Sequence, residues 1–208
     1  MTATDGAIRL VMELRRRGVT NTMILSAVER TPREAFVPVA AIGRAWDDSA
    51  LELGNGEILS RPFVAAVLID ALHVGERHRV LQLPTGVGYQ ATLLSHLCRW
   101  VYTREPARAV RQAAEARLRE LDIHNVIAQA GEPEEGWPEQ APFDRILLST
   151  GFDDAPAVLL DQLRPAGVLV APLGPDPLMR SVTRITRTND GFDRESLMAL
   201  PPAVLRSN

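Results

Sequence analysis

The stretch "RVLQLPTGVGYQATLL", Arg79–Leu94, decides how the chain is read. An apolar run of strand character, "RVLQL" (79–83), leads into Gly86 and Gly88 and then into "YQATLL", whose spacing suits a helix. Glycine has no Cβ, so such a loop can turn tightly and bring bare backbone against a ligand. In open parallel sheets ligands sit beyond the carboxyl ends of the strands, which is where both glycines fall. Glu105 follows a second strand candidate, "WVYTR" (100–104), at roughly the 20-residue distance where a dinucleotide fingerprint carries an acid for the ribose hydroxyls. "GVGYQA" also fits G-x-G-x-x-A. The loop by itself is compatible with three readings. It is a plain strand–helix turn with Glu105 favoured by the helix dipole, a nicotinamide site, or an S-adenosylmethionine site. Both ligands carry an adenosine, so the loop does not separate them. A phosphate-binding P-loop is excluded, because no Gly-Lys-Ser/Thr follows.

Outward from this loop, strand candidates continue at "NVIAQA" (125–130), "DRILLS" (144–149) and "GVLVAPL" (167–173). Helical spacing fills the intervals in "ARAVRQAAEARLRELD" and "DAPAVLLDQLR". Strand–helix alternation predicts a mostly parallel sheet covered on both faces. "SVTRITRTNDGFDRESLMAL" predicts two strands around Asn189-Asp190-Gly191, a hairpin that closes the sheet with an antiparallel pair. The first third reads as helical. Ile8, Leu10, Val11 and Leu14 share a face of a helix that stops at Gly18. A second helix, "TNTMILSAVER", takes Thr20 or Asn21 as its cap. "TPREAFV" has the form of a helix start, with Thr31 as cap, Pro32 first and Glu34 three residues after the cap. We therefore expect one α/β domain over 1–208, with a helical N-terminal part (1–75) and a Rossmann-like core (76–208).

Composition narrows the function classes. The 208 residues suit one globular domain, and 46% hydrophobic with 24% charged content is ordinary for a folded soluble protein. With 23 basic and 26 acidic residues the formal charge is −3, which suggests neither a nucleic-acid groove nor an anionic-membrane binder. No run approaches a membrane-spanning length, and charges interrupt the start of the chain before a signal sequence forms. A cytoplasmic protein is expected. The single cysteine, Cys98, excludes an internal disulfide and a cysteine-rich zinc site, and no metal site is expected. His73, His78, His96 and His124 lie at helix or strand edges and read as structural or solvated.

"TPREAFV" (31–37), "AWDDSALELGNGEILSRP" (45–62), "VLQLPTGVGYQA" (80–91), "LDIHNV" (121–126), "GWPEQAPFDRILLSTG" (136–151) and "PAGVLVAPLG" (165–174) share their order with segments of one family. Over nearly its whole length the sequence resembles protein-L-isoaspartate O-methyltransferases. The resemblance implies a seven-stranded, mostly parallel methyltransferase sheet with helices on both faces and an N-terminal helical extension. It implies S-adenosyl-L-methionine as cofactor and isoaspartyl-containing peptides or proteins as partners. It also implies transfer of a methyl group to the free α-carboxyl of an isoaspartyl residue. Such a carboxyl has a pKa of about 3.5, so the nucleophile is already ionised at neutral pH and needs no general base. Catalysis then comes from alignment and from exclusion of water.

By resemblance Ser60 lies beside the reacting carboxylate, where its hydroxyl positions rather than attacks. Ser60 also precedes Arg61-Pro62 and a long apolar run, so it suits a helix cap. Arg61 is a cation that attracts a carboxylate or faces water. The resemblance places Gln82, Thr85, Gly86 and Gly88 around the methionine part of the cofactor, Glu105 at the ribose and Glu132 near the adenine. "GEPEEG" (131–136) reads alternatively as a solvated acidic loop.

Several positions depart from the family pattern. Glu-x-Gly becomes Gln82-Leu83-Pro84, which removes a carboxylate near a positive ligand. Opposite charges about 4 Å apart attract by about 4 kcal/mol at an effective dielectric of 20, before desolvation. Pro84 fixes φ near −65° and lacks an N–H. "GQTIS" becomes "GEILS", which brings in Glu57 and Ile58, the terminal "FVPL" becomes "ALPP" (199–202), and "STGF" (149–152) replaces a small-residue stretch. An altered choice of substrate is one explanation of these changes; the other, kept as the alternative reading, is a catalytically silent homologue acting as a binding or interaction module.

Overall fold

The computed structural model describes residues 3–54 and 57–200. Gly56 of "GEILS" and Pro201-Pro202 of "ALPP" lie outside the described residues. A seven-stranded sheet organises the rest, in the spatial order β5-β4-β3-β6-β7-β8-β9. Its strands are β3 (Arg79–Leu83), β4 (Trp100–Arg104), β5 (Val126–Gln129), β6 (Phe143–Leu148), β7 (Leu163–Leu173), β8 (Ser181–Arg187) and β9 (Phe192–Ala199). β5 to β7 with β3 at the centre are parallel, whereas β8 and β9 run antiparallel to their neighbours. The hairpin expected around Asn189-Asp190-Gly191 is present, closed by Thr188 N donating to Gly191 O at 2.8 Å.

Alternation along the strands sorts the core into two layers, because successive side chains point to opposite faces. Leu81, Leu83, Tyr102, Phe143, Ile146 and Leu148 pack on one face with Leu159 and Leu163. Val80, Val101, Leu147 and Val170 face the other way, toward α1 (Ala3–Arg16), α2 (Thr22–Arg30), α3 (Pro62–Ala71) and α4 (Tyr89–Ser95). α3 is buried on nearly every side and begins with Pro62 at its first position. Strand β3 lies between β4 and β6, and the connections leave it in opposite directions. That switch point opens a crevice at its carboxyl end.

The helical reading of the first third misses a two-stranded hairpin, β1 (Leu51–Gly54) with β2 (Glu57–Leu59). Thr31 does not cap a following helix. Its hydroxyl donates back to Ala27 O at the end of α2, and Arg33–Phe36 form a 3-10 turn whose cap position is Pro32. Asn21 caps α2 as expected, accepting from Met23 N at 3.1 Å. On α1 the buried face is Ala7, Leu10 and Leu14, while Ile8 is 47% exposed, because the helix meets its neighbours along a narrower stripe than the sequence pattern suggests. The expected helix through "DAPAVLLDQLR" shortens to α6 (Ala157–Asp161), since the chain from Leu163 already belongs to β7.

Cys98 is buried just before β4, and burial pushes its thiol up to about 12. Only the thiolate is a good nucleophile. The folded protein is therefore expected to stay inert to a thiol reagent at pH 8, with stoichiometric reaction only in denaturant.

Candidate functional site

At the carboxyl end of β3 the chain turns through Gly86 and Gly88, both at positive φ (51° and 87°). Positive φ falls on these two glycines and not on Pro84, so the loop's backbone accepts the proline that replaces the family's glycine. A Cβ built on Gly86 would meet nothing within 4 Å, so the space above it is open. Glu105 sits at the end of β4, buried to 7% exposure. One of its carboxylate oxygens accepts from Gly86 N at 3.1 Å and the other from Ala107 N at 3.2 Å. Each oxygen keeps a lone pair, so Glu105 can still receive hydroxyl donors.

A cavity of ≈ 120 Å³ adjoins this loop; Ile58, Ser60, Gln82, Pro84, Gly86 and Gln90 are among the residues that line it. Thr85, Ser149 and Thr150 also contribute to its wall. Gln82 pairs in register with Thr103 on β4 and with Leu147 on β6, so Gln82, Thr103 and Ser149 project on one face. They bond to one another there. Gln82 Nε2 donates to Pro84 O and to Ser149 Oγ, and its Oε1 accepts from Thr103 Oγ at 3.2 Å. Thr103 and Thr85 hydroxyls meet at 2.8 Å. With all these partners, the amide of Gln82 belongs to the cavity wall.

Ser60 lines the cavity but does not cap α3. Arg61 holds the cap position, and Asp48 Oδ1 accepts from Phe63 N at 2.9 Å in the role expected of the serine. Arg33, fully buried, donates from Nη2 to Ser60 O at 2.9 Å. Arg61 is paired with Asp48 at 2.8 Å, so its charge is already matched. Glu132 is exposed at the end of β5 and is not part of the cavity lining. In that loop Arg104 donates to Ala130 O and Gly136 O, and its ion-pair partner is Glu135.

Sequence reasoning missed Arg117 on α5 (Arg108–Glu120). Its Nε donates to Ala35 O and its Nη1 to Val87 O at 2.7 Å, which ties the N-terminal part to the glycine loop. Nothing in an amphipathic helix distinguishes that arginine from its neighbours. Thr103 and Ser149 were legible only as polar residues within apolar strands, and Gln90 only as part of "GYQ".

The histidines take no part in the cavity. His78 accepts from Gly75 N, His124 pairs with Asp122 at the surface, and burial lowers the pKa of both His78 and His96.

A family model described as protein-L-isoaspartate(D-aspartate) O-methyltransferase matches residues 6–199. A protein-L-isoaspartate O-methyltransferase of Paramagnetospirillum magneticum is 45% identical over 192 residues, covering 92% of this chain and 90% of the relative. One from Caulobacter vibrioides is 47% identical over 190 residues, covering 91% and 85%. A solved protein-L-isoaspartate O-methyltransferase superposes with a TM-score of 0.85 at 22% identity, over 97% of this chain and 66% of that one. A Plasmodium falciparum beta-aspartate methyltransferase, solved in complex with S-adenosyl-L-homocysteine, gives 0.78 at 18% identity over 96% and 98%.

Glu57 on β2 has its carboxyl pKa raised, first by burial and then by Glu105, against the opposing effect of Arg117. A carboxyl whose folded-state pKa is raised contributes most to stability below its unfolded pKa, and that contribution is lost as pH rises through the folded value. Glu57→Gln stays neutral at all pH. It is expected to raise the melting temperature near pH 8 by on the order of 1–2 °C, with the difference vanishing near about pH 4. Thermal scans across that range check it.

Proposed function

This chain belongs to the protein-L-isoaspartate(D-aspartate) O-methyltransferase family, and on that premise we propose that it methylates the free α-carboxyl of L-isoaspartyl residues, using S-adenosyl-L-methionine. At the level of residues, the observation that carries the reading is that Ser60 and Gly86 line one cavity. Glu105 has spare lone pairs for the ribose hydroxyls, and Thr85 and Gly86 line the cavity that would take the methionine part, whereas Gly88 packs toward Ala114 and serves the turn into α4. Glu132 is the acid available to the adenine amine. The cavity itself is smaller than a full ligand pocket of about 300 Å³ or more, so it suits the reacting groups, with the adenosine along the open side of Gly86.

The sulfonium of the bound methyl donor supplies the electrophilic carbon. What the protein must do is hold the ionised acceptor carboxylate in line with it and keep water away. Ser60 does the first with a neutral donor, and Ile58 and Leu59 of the β2 hairpin cover the site with apolar surface. Among the described residues no cation lines the cavity: Arg61 is paired with Asp48, and Arg33, which donates to Ser60 O, is fully buried. A strong ion pair there would hold the carboxylate more tightly before the reaction than during it, when its charge is being lost. Acceptors are isoaspartyl-containing peptides and proteins, with a cytoplasmic setting. No observation favours the catalytically silent alternative.

Calorimetry with S-adenosyl-L-homocysteine should show saturable binding, weakened at least about tenfold in Glu105→Ala. Labelled methyl should pass from S-adenosyl-L-methionine to an isoaspartyl peptide and not to its aspartyl counterpart. No binding heat at millimolar ligand, or equal labelling of the two peptides, would contradict the assignment.

A further inference from the structure

One carbonyl sets the donor direction along a connected chain of side chains beside the cavity, Gln82, Thr103, Thr85, Ser149 and Gln90. Pro84 O can only accept, so the Gln82 atom against it is Nε2, and Oε1 is left to accept. Oε1 faces Thr103 Oγ at 3.2 Å, so the Thr103 hydroxyl donates to it and accepts in turn from the Thr85 hydroxyl. On the other side Gln82 Nε2 donates its second hydrogen to Ser149 Oγ at 2.9 Å. Ser149 gives its one proton to Gln90 Oε1. Gln90 therefore presents Nε2 to Ser60 Oγ at 3.5 Å, the long end of hydrogen-bond range. An amide N–H only donates, so Ser60 Oγ meets it with a lone pair, and the serine's own proton is left to point into the cavity that both residues line.

We propose that Gln90, oriented through Ser149 and Gln82, is a positioning residue that turns the Ser60 hydroxyl proton toward the acceptor's carboxylate. The inference rests on the acceptor site proposed above and adds what makes Ser60 a donor there. It also gives Gln82 a purpose that the lost family acid did not suggest. Its amide hydrogen on Ser149 is what leaves the serine's own proton for Gln90.

The test is binding of an isoaspartyl peptide to protein saturated with S-adenosyl-L-homocysteine, measured by calorimetry without turnover. Gln90→Glu replaces the donor facing Ser60 with an acceptor. It is expected to weaken the peptide roughly tenfold in the parent and at most about threefold in a Ser60→Ala background, where no hydroxyl remains to be turned. The homocysteine compound should bind all variants within about twofold of the parent. Ser149→Ala, a milder change, tests the same link should Gln90→Glu not fold. Its expected weakening is about threefold with Ser60 present and none without it. A loss that is the same size in both backgrounds, or no loss, overturns the relay while leaving the acceptor reading intact. Failure of the parent protein to bind the peptide overturns both.

Discussion

The site depends on Glu105 taking two backbone N–H groups at once. Gly86 belongs to the turn after β3 and Ala107 to the turn after β4, so one carboxylate clasps the two loops that border the crevice. Each hydrogen bond to a charged group contributes about 1.5–3 kcal/mol, and the carboxylate that receives both is itself buried, with Gly86 half-buried and Ala107 at the exposed rim. Arg111 closes the same corner by donating to Glu105 O at 3.0 Å, and Arg117 holds Val87 from the far side. The glycine loop is thus fixed by protein groups, and a ribose bound as proposed would meet a carboxylate already held in place. A preorganised acceptor loses less freedom on binding than one that must be gathered by the ligand.

Electrostatics around the crevice follow from where charges are and are not matched. Asp48, buried at 5% side-chain exposure, pairs with both Arg61 and Arg17 and also bonds the start of α3. Of the cations near Ser60, Arg61 is thus spent on Asp48 and buried Arg33 on the carbonyls of Ser49 and Ser60. Glu57 and Glu105 raise the negative potential above the loop, with Arg117 opposing. That balance suits a cationic methyl donor. In the proposed acceptor site the carboxylate, an anion, would be left to the Ser60 hydroxyl and to geometry, which suits a reaction that consumes its charge.

Much of this was legible in sequence. The strands from Arg79 to Leu173, the closing hairpin at Asn189-Asp190-Gly191 and the placement of Gly86 and Glu105 at the ends of two strands follow from local periodicity and turn chemistry, which the tertiary fold does not override. The failures have a common physical origin. Thr31 and Ser60 have the side chains of N-caps, yet nearby partners from elsewhere in the chain, Ala27 O and Asp48, decide what each position does. The β1–β2 hairpin is too short to show alternation, and Arg117 acts across 82 residues of sequence on Ala35. Gln82 looked like a lost charge because its partners, Thr103 and Ser149, become neighbours only through strand register.

Amide hydrogen exchange on the protein without ligand measures the clasp itself. The account predicts slow exchange at Gly86 and Ala107, with both amides accelerated in Glu105→Ala while those of Val80 and Val101 in the adjoining strands remain protected. Fast exchange at Gly86 and Ala107 in the parent protein would contradict it, since the loop would then be ordered by its ligand and not by Glu105.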